Sequence, residues 1–142
     1  MYTKDLQRKV RTKRYSFTEE EIDLLARCAQ AEAGDYEVAK DAQKAVVQVI
    51  LNRLESDEFP PTTIKGIIYQ PKQFSVTKNG MINNKATAET RRNVEEVLLY
   101  GTDIPSDVLY FYADWLDNGD WVTTRKTYKE IDGTVFCYNR KK

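Results

Sequence analysis

Apolar residues recur at helical spacing in two long stretches near the start of the chain. In residues 18–33 the stripe follows a capping box, formed by Thr18 and Glu21, and Gly34 ends the pattern. In residues 41–55 apolar side chains cover most of the helix circumference. A single polar line remains there, and it consists of Lys44, Gln48, Asn52 and Glu55. Such a narrow polar stripe is typical of a largely buried helix, so we predict the central helix of the core here.

Two further helices are predicted downstream. Thr62 is placed to cap a short helix over residues 63–69. A longer helix is predicted over residues 87–100, and Gly101 stands where a helix commonly ends. The polar residues 34–40 predict an irregular loop between the first two helices.

The last forty residues change to strand-like patterns. Residues 108–112 are rich in aromatic and branched side chains and predict a strand. Residues 127–131 and 134–138 flank the pair Asp132–Gly133, a strong signal for a two-residue hairpin turn. We therefore predict an α+β fold, mainly helical with a small C-terminal β-hairpin.

Length and charge limit the classes of protein that fit. The chain has 142 residues, and we assign residues 17–142 to one domain behind a basic arm at residues 1–16. Lysine and arginine number 22, as do aspartate and glutamate, which argues against binding a polyanion with the whole surface. No apolar run approaches the roughly 18 residues of a membrane span, and the arm lacks the apolar core of a secretory signal peptide. We expect the arm to be solvated chain or a short helix, or else a tether to an anionic polymer.

The chain contains no histidine, and this excludes several kinds of catalytic site. Ser-His-Asp and Cys-His catalysis and metal sites built on imidazole are all ruled out. The two cysteines, Cys28 and Cys137, are too far apart in sequence for a CxxC pair, and we expect both to be buried thiols, with a disulfide between them left open. We therefore predict neither a metal nor a cofactor.

Glu32 is the first candidate for chemistry. Ile22, Leu25 and Ala29 form the apolar stripe of the first helix, and Glu32 occupies the next position on it. A carboxyl group at an apolar position loses solvation, which raises its pKa towards the range that a general acid needs. Two other interpretations stay open: an exposed glutamate at a frayed helix end, and a structural carboxylate paired with Arg53. A second catalytic carboxylate would come from the nearby acids, which are Asp35, Glu37 and Asp41.

Aromatic residues concentrate after Val108. They are Tyr110, Phe111, Tyr112, Trp115, Trp121 and Tyr128. Strand alternation sends Tyr110 and Tyr112 to one face and Phe111 to the other, so one face is expected in the core and the other is available to stack on sugar rings or bases. Gln73 and Asn52 are candidate hydrogen-bonding groups of a cleft.

Five stretches of the chain, in the same order, resemble the catalytic domain of spore cortex-lytic enzymes and related cell-wall hydrolases, the SleB/CwlJ family. The stretches are residues 24–27 with 31–34, residues 45–53, residues 59–60 with 63–71, residues 73–75 and residues 133–136. The resemblance covers about residues 20–138. It implies a lysozyme-like fold and cleavage of peptidoglycan between N-acetylmuramic acid and N-acetylglucosamine, by a lytic transglycosylase reaction.

The resemblance also assigns residues to roles. Glu32 matches the family's catalytic glutamate, although Ala31 stands where the family has glycine, and Thr134 stands where the family often has histidine. The implied mechanism uses Glu32 first as acid and then as base, and assistance from the substrate's N-acetyl group makes a second carboxylate unnecessary. Asn52 and Arg53 are expected to be structural. The predicted saccharide contacts are Gln73, Phe74, Tyr110, Tyr112 and Trp121.

Three other functions are weighed against this one. A zinc amidase that cuts the peptide stem ranks low because the chain has no histidine. The same cleft without catalysis would make a wall-binding module, and the basic arm with the aromatic strand would make a nucleic-acid binder. We expect a monomer that acts on peptidoglycan strands of the cell wall or spore cortex, does not bind nucleic acid, and reaches the wall by a route that the sequence leaves open.

Overall fold

The computed structural model describes residues 5–10, 13–71, 73–116 and 120–142. The helices and strands follow in the order β1 Asp5–Val10, β2 Lys13–Thr18, α1 Glu19–Ala33, α2 Tyr36–Glu55, α3 Ile64–Ile68, α4 Ser75–Lys78, α5 Ala88–Tyr100, β3 Val108–Ala113, β4 Arg125–Ile131 and β5 Thr134–Lys141. Short 3-10 turns occupy Met81–Asn83 and Trp121–Thr124. Helices α1, α2 and α5 pack on one another around the core, and α2 also packs against β3.

Helix α1 begins and ends where the sequence predicts. The Thr18 hydroxyl accepts a hydrogen bond from Glu21 N at 3.1 Å, and the Glu21 carboxylate accepts one from Thr18 N, which completes the capping box. Gly34 ends the helix with φ of 107°, a backbone conformation that side chains with a Cβ rarely adopt. These caps fix the end of α1, where Glu32 lies.

Helix α2 is the predicted central helix, but it begins at Tyr36, so the predicted loop over residues 34–40 is wrong. The helix is interrupted at Ala39, where φ is −138° and ψ is 31°. Beyond this break, Ala42 N donates to the Asp132 carboxylate at 3.1 Å. The helix is thus capped by a residue 90 positions away, which a local sequence pattern cannot predict.

The β-strands after residue 107 form one antiparallel sheet in the order β3–β5–β4. Asp132 and Gly133 connect β4 to β5 with φ of 49° and 84°, as a two-residue hairpin with both residues at positive φ requires. The sheet has a third strand because β3 pairs with the edge of β5 that does not face β4. The α+β class, mainly helical with a small C-terminal β element, is confirmed.

Strands β1 and β2 pair with each other near the N-terminus, from Asp5 opposite Thr18 to Val10 opposite Lys13. The sequence had predicted solvated chain or a short helix there, and the described backbone is instead a pair of antiparallel strands, of which β2 leads directly into α1. The division into an arm of residues 1–16 and a domain of residues 17–142 stays a prediction. No helix in the described residues is both long and apolar enough to cross a membrane.

Asn52 and Arg53 connect α2 to β3 through buried hydrogen bonds. The Asn52 amide donates to Pro105 O and Val108 O, both at 3.0 Å, and its Oδ1 accepts from Gln48 Nε2 at 3.0 Å. These bonds support the structural role expected of this pair. The thiols of Cys28 and Cys137 are both buried and free, as predicted, and do not form the disulfide that the sequence had left open.

Candidate active site

A cavity of about 670 Å³ opens beside the C-terminal end of α1. Its walls come from α1, the segment around α4, strand β3 and the turn after it. The lining residues are Ala31, Glu32, Arg53, Gln73, Ser75, Val76, Asn79, Met81, Phe111, Tyr112, Ala113, Trp115, Leu116, Asp120, Trp121, Val122 and Thr134. The cavity therefore brings Glu32 together with aromatic and amide side chains from distant parts of the chain.

Glu32 lies half-buried in the wall of this cavity, one turn after Cys28. Its Oε1 atom is buried and has no hydrogen-bond partner among the described residues. Burial raises the pKa of the Glu32 carboxyl to about 7, while a hydrogen bond from the Val76 backbone and the charge of Arg53 act to lower the pKa. Desolvation is the largest of these effects, so the group is available as a proton donor near neutral pH.

Arg53 forms the floor behind Glu32 and is only 4% exposed. Its Nε donates to Leu109 O at 2.8 Å, and one terminal nitrogen donates to Gln73 Oε1 at 3.1 Å. Three aromatic rings surround the guanidinium, with centroids at 4.8 Å for Phe59, 4.8 Å for Phe74 and 5.3 Å for Tyr110. Burial lowers the pKa of Arg53 to about 10, so Arg53 stays cationic at neutral pH and supplies a fixed positive charge near Glu32.

The predicted site residues fall into two groups. Glu32, Gln73, Tyr112 and Trp121 line the same cavity. Phe74 and Tyr110 do not line it. Both pack on Arg53, and Tyr110 also meets the Trp121 ring edge-on at 5.1 Å. Strand β3 pairs one to one with β5 from Tyr110 to Ala113, yet Phe111 lines the cavity beside Tyr112, which simple alternation had placed on the opposite face.

None of the three nearby acids lines this cavity. Asp35 is the residue before α2 and Glu37 is in the first turn of that helix. Asp41 instead lines a second cavity of about 550 Å³, next to Lys44 and the β4–β5 turn. In the described part of the chain, Asp120 is the one other carboxylate on the cavity of Glu32.

The cavity residues that were not selected from the sequence include Val76, Trp115, Asp120 and Thr134. Val76 contributes a backbone N–H to Glu32, and such a group cannot be recognised from the type of side chain. Trp115 is 81% exposed and stood among the noted aromatic residues without being selected. The resemblance had drawn attention to Thr134, because it stands at a position that often carries histidine in the SleB/CwlJ family. No group of three or more histidine, cysteine or acidic residues that could hold a metal ion occurs within the described ranges.

Comparison with known proteins gives consistent matches. The family model described as Cell Wall Hydrolase matches residues 38–137, a region that starts after Glu32. The spore cortex-lytic enzyme of Oceanobacillus iheyensis is 31% identical over 121 residues, which cover 85% of this chain and 42% of that protein. The Bacillus subtilis spore cortex-lytic enzyme is also 31% identical over 121 residues, with 85% and 38% coverage. The chain thus spans less than half the length of these relatives.

Solved structures match over most of their length. The catalytic domain of Bacillus cereus SleB superposes with a TM-score of 0.70 at 28% identity, covering 85% of this chain and 91% of that one. The catalytic domain of the germination-specific lytic transglycosylase SleB from Bacillus anthracis gives a TM-score of 0.71 at 25% identity, with 85% and 96% coverage. The described fold is therefore that of these catalytic domains.

Proposed function

This chain belongs to the cell wall hydrolase family, and from that premise we propose that it is a lytic transglycosylase that cleaves peptidoglycan between N-acetylmuramic acid and N-acetylglucosamine. The observation that carries the proposal is the setting of Glu32: a desolvated carboxyl with a pKa of about 7, on a cavity lined by aromatic rings. The similarity to SleB catalytic domains supports the same reaction.

In the first step the protonated Glu32 carboxyl donates its proton to the glycosidic oxygen. The bond from the muramoyl anomeric carbon to that oxygen breaks, and the oxygen leaves as a hydroxyl of N-acetylglucosamine. Positive charge at the anomeric carbon is stabilised by the carbonyl oxygen of the substrate's own acetamido group. Glu32 becomes a carboxylate, which the Val76 N–H and the charge of Arg53 stabilise.

In the second step the muramoyl 6-hydroxyl attacks the anomeric carbon. Its proton passes to the Glu32 carboxylate, so the catalyst is regenerated and the product carries a 1,6-anhydro ring. No water is consumed. A single carboxyl group that is stabilised in both its protonated and its ionised form is sufficient for these two proton transfers.

The saccharide is proposed to contact Gln73, Tyr112 and Trp121. Trp121 is half exposed, with the Arg125 guanidinium at 4.5 Å over its ring and the edge of Tyr110 against it, so its orientation is fixed. Such a supported indole suits stacking on a sugar ring. Contacts from Phe74 and Tyr110 stay predictions, and the packing on Arg53 favours a supporting role for both behind the cavity wall.

The pH dependence of catalysis follows from the pKa of Glu32. Because donation requires the protonated carboxyl, kcat/KM should decline as pH rises through about 7, approaching a tenfold loss per pH unit well above it. The measurement is the initial rate of peptidoglycan solubilisation from pH 5 to 9, with thermal unfolding recorded at each pH to confirm that the protein stays folded. A tenfold decline per pH unit that already runs from pH 5, as the ordinary pKa of glutamate would give, would contradict the assigned environment.

Product analysis tests the reaction type. After digestion of purified peptidoglycan, mass spectrometry of the muropeptides should detect 1,6-anhydromuramic ends. Free stem peptides would instead indicate an amidase. Absence of any released fragment, with binding retained, would indicate a wall-binding module.

Hydrolysis is a second candidate reaction, favoured by Asp120. Its carboxylate lines the same cavity as Glu32 and could activate a water molecule or act as the nucleophile of a two-carboxylate glycosidase. Reducing ends in the product analysis would support this reaction and overturn the transglycosylase proposal.

A further inference from the structure

The amide of Gln73 is held in one orientation by Arg53. A guanidinium has only hydrogen-bond donors, so the atom of Gln73 that lies 3.1 Å from Arg53 must be the acceptor Oε1. Arg53 cannot easily move, because it also donates to Leu109 O at 2.8 Å and is enclosed by aromatic rings. The amide plane of Gln73 is therefore fixed with Nε2 on the side away from Arg53.

The Nε2 group of Gln73 has no hydrogen-bond partner in the part of the chain that the structure describes. It donates no hydrogen bond to any residue within the described ranges, although the backbone N of Gln73 donates to Gln70 O at 3.2 Å. Gln73 lines the cavity that contains Glu32. The cavity wall thus carries a fixed group that can donate a hydrogen bond and cannot accept one.

We propose that Gln73 donates to the acetamido carbonyl oxygen of a sugar bound in this cavity, and that Arg53 is the positioning residue that fixes Gln73 for this contact. A carbonyl oxygen only accepts hydrogen bonds, so it matches a group that only donates. This inference rests on the proposed glycan substrate and adds a selectivity to it. A de-N-acetylated sugar presents an ammonium group, which has hydrogen-bond donors only and a positive charge. It therefore offers no acceptor to Gln73 and faces the positive charge of the buried Arg53 behind it.

Binding, measured without turnover, tests the contact. The Glu32→Gln chain serves as the parent, and calorimetry gives its dissociation constant for purified glycan strands, either fully N-acetylated or chemically de-N-acetylated. Gln73→Met keeps the size of the side chain and removes both polar groups. Gln73→Glu keeps the acceptor for Arg53 and removes the donor.

Both Gln73 variants should weaken binding of N-acetylated strands by about five- to tenfold, the loss of one hydrogen bond to a positioned partner. Neither should weaken binding of de-N-acetylated strands further, because the acetamido partner is already gone. Gln73→Glu binding as tightly as the parent would assign a hydroxyl donor as the partner and overturn the proposal. Equal losses on both substrates, or no loss on either, would also overturn it.

A double-mutant cycle that combines Arg53→Lys with Gln73→Met tests the positioning role of Arg53. A lysine ammonium cannot reproduce the forked contact to both Leu109 O and Gln73 Oε1. Arg53→Lys should weaken binding of N-acetylated strands in the parent and have little further effect when Gln73→Met is already present. A merely structural role predicts the same loss in both backgrounds and would refute the positioning role.

The outcome for this inference is separate from the outcome for the proposed function. If the parent chain binds no glycan strand at all, the proposed substrate is wrong. If the parent binds and the Gln73 variants bind equally well, the substrate stands and the assigned contact is wrong.

Discussion

Replacing Glu32 with glutamine should reduce the release of fragments from purified peptidoglycan by about a thousandfold or more. Glutamine matches the glutamate side chain in size but can neither donate a proton to the glycosidic oxygen nor accept one from the 6-hydroxyl. Both proton transfers of the proposed mechanism use this residue, so both are lost together. The measurement is the initial rate of solubilisation, with muropeptides identified by mass spectrometry.

Glu37→Gln is the matched control for this experiment. Glu37 lies only five positions further along the chain, is exposed in the first turn of α2, and does not line the cavity of Glu32. The same chemical change there should leave the rate close to that of the parent chain. Normal lysis by the Glu32→Gln variant would exclude Glu32 as the catalytic acid, and loss of activity in both variants would point to a general effect of charge.

Replacing Asn52 with leucine should lower the free energy of unfolding by about 3–5 kcal/mol. Leucine has the same branched arrangement of side-chain heavy atoms, so the change removes the hydrogen bonds without opening a cavity. It leaves Pro105 O, Val108 O and the Gln48 amide without their Asn52 partner in a buried position. Each buried group that loses its partner costs roughly 1–3 kcal/mol. Urea unfolding of the two chains measures the difference.

Asn84→Leu provides the comparison for Asn52→Leu. Asn84 is exposed, and the one hydrogen bond described for it comes from its backbone. Its replacement should change the free energy of unfolding by less than about 0.5 kcal/mol. If both variants unfold at the same urea concentration, the bonds from Asn52 to the start of β3 contribute little to stability.

Local signals predicted much of the fold, and the exceptions have a common cause. The capping box at Thr18, the end of α5 at Gly101 and the turn at Asp132–Gly133 depend only on neighbouring residues, and the structure confirms each. The prediction missed the turn of α2 before Ala39, because Asp35 makes no side-chain capping bond there, and after Ala39 the helix is capped by Asp132, a contact across 90 positions.

The candidate site could be predicted in part for the same reason. Glu32 was found because it breaks a periodic pattern within its own helix. Asp120 and Trp115 reach the cavity through tertiary packing, which a single sequence does not encode at any fixed spacing. Phe74 and Tyr110 were chosen as aromatic residues near the right motifs, but a buried cation is also a partner for aromatic rings, and Arg53 has both of them.

Burial of the Glu32 carboxyl, whose Oε1 has no hydrogen-bond partner among the residues that the structure describes, makes catalysis and stability oppose each other in this domain. The folded chain favours the protonated carboxyl, whereas the unfolded chain ionises it at the ordinary pKa of glutamate. The free energy of unfolding therefore falls as pH rises from about 4.5, and the loss is complete once pH exceeds the folded pKa of about 7. The buried amides of Gln43 and Asn93 have hydrogen-bond partners, whereas the pH-dependent cost arises at Glu32, where the proton is used.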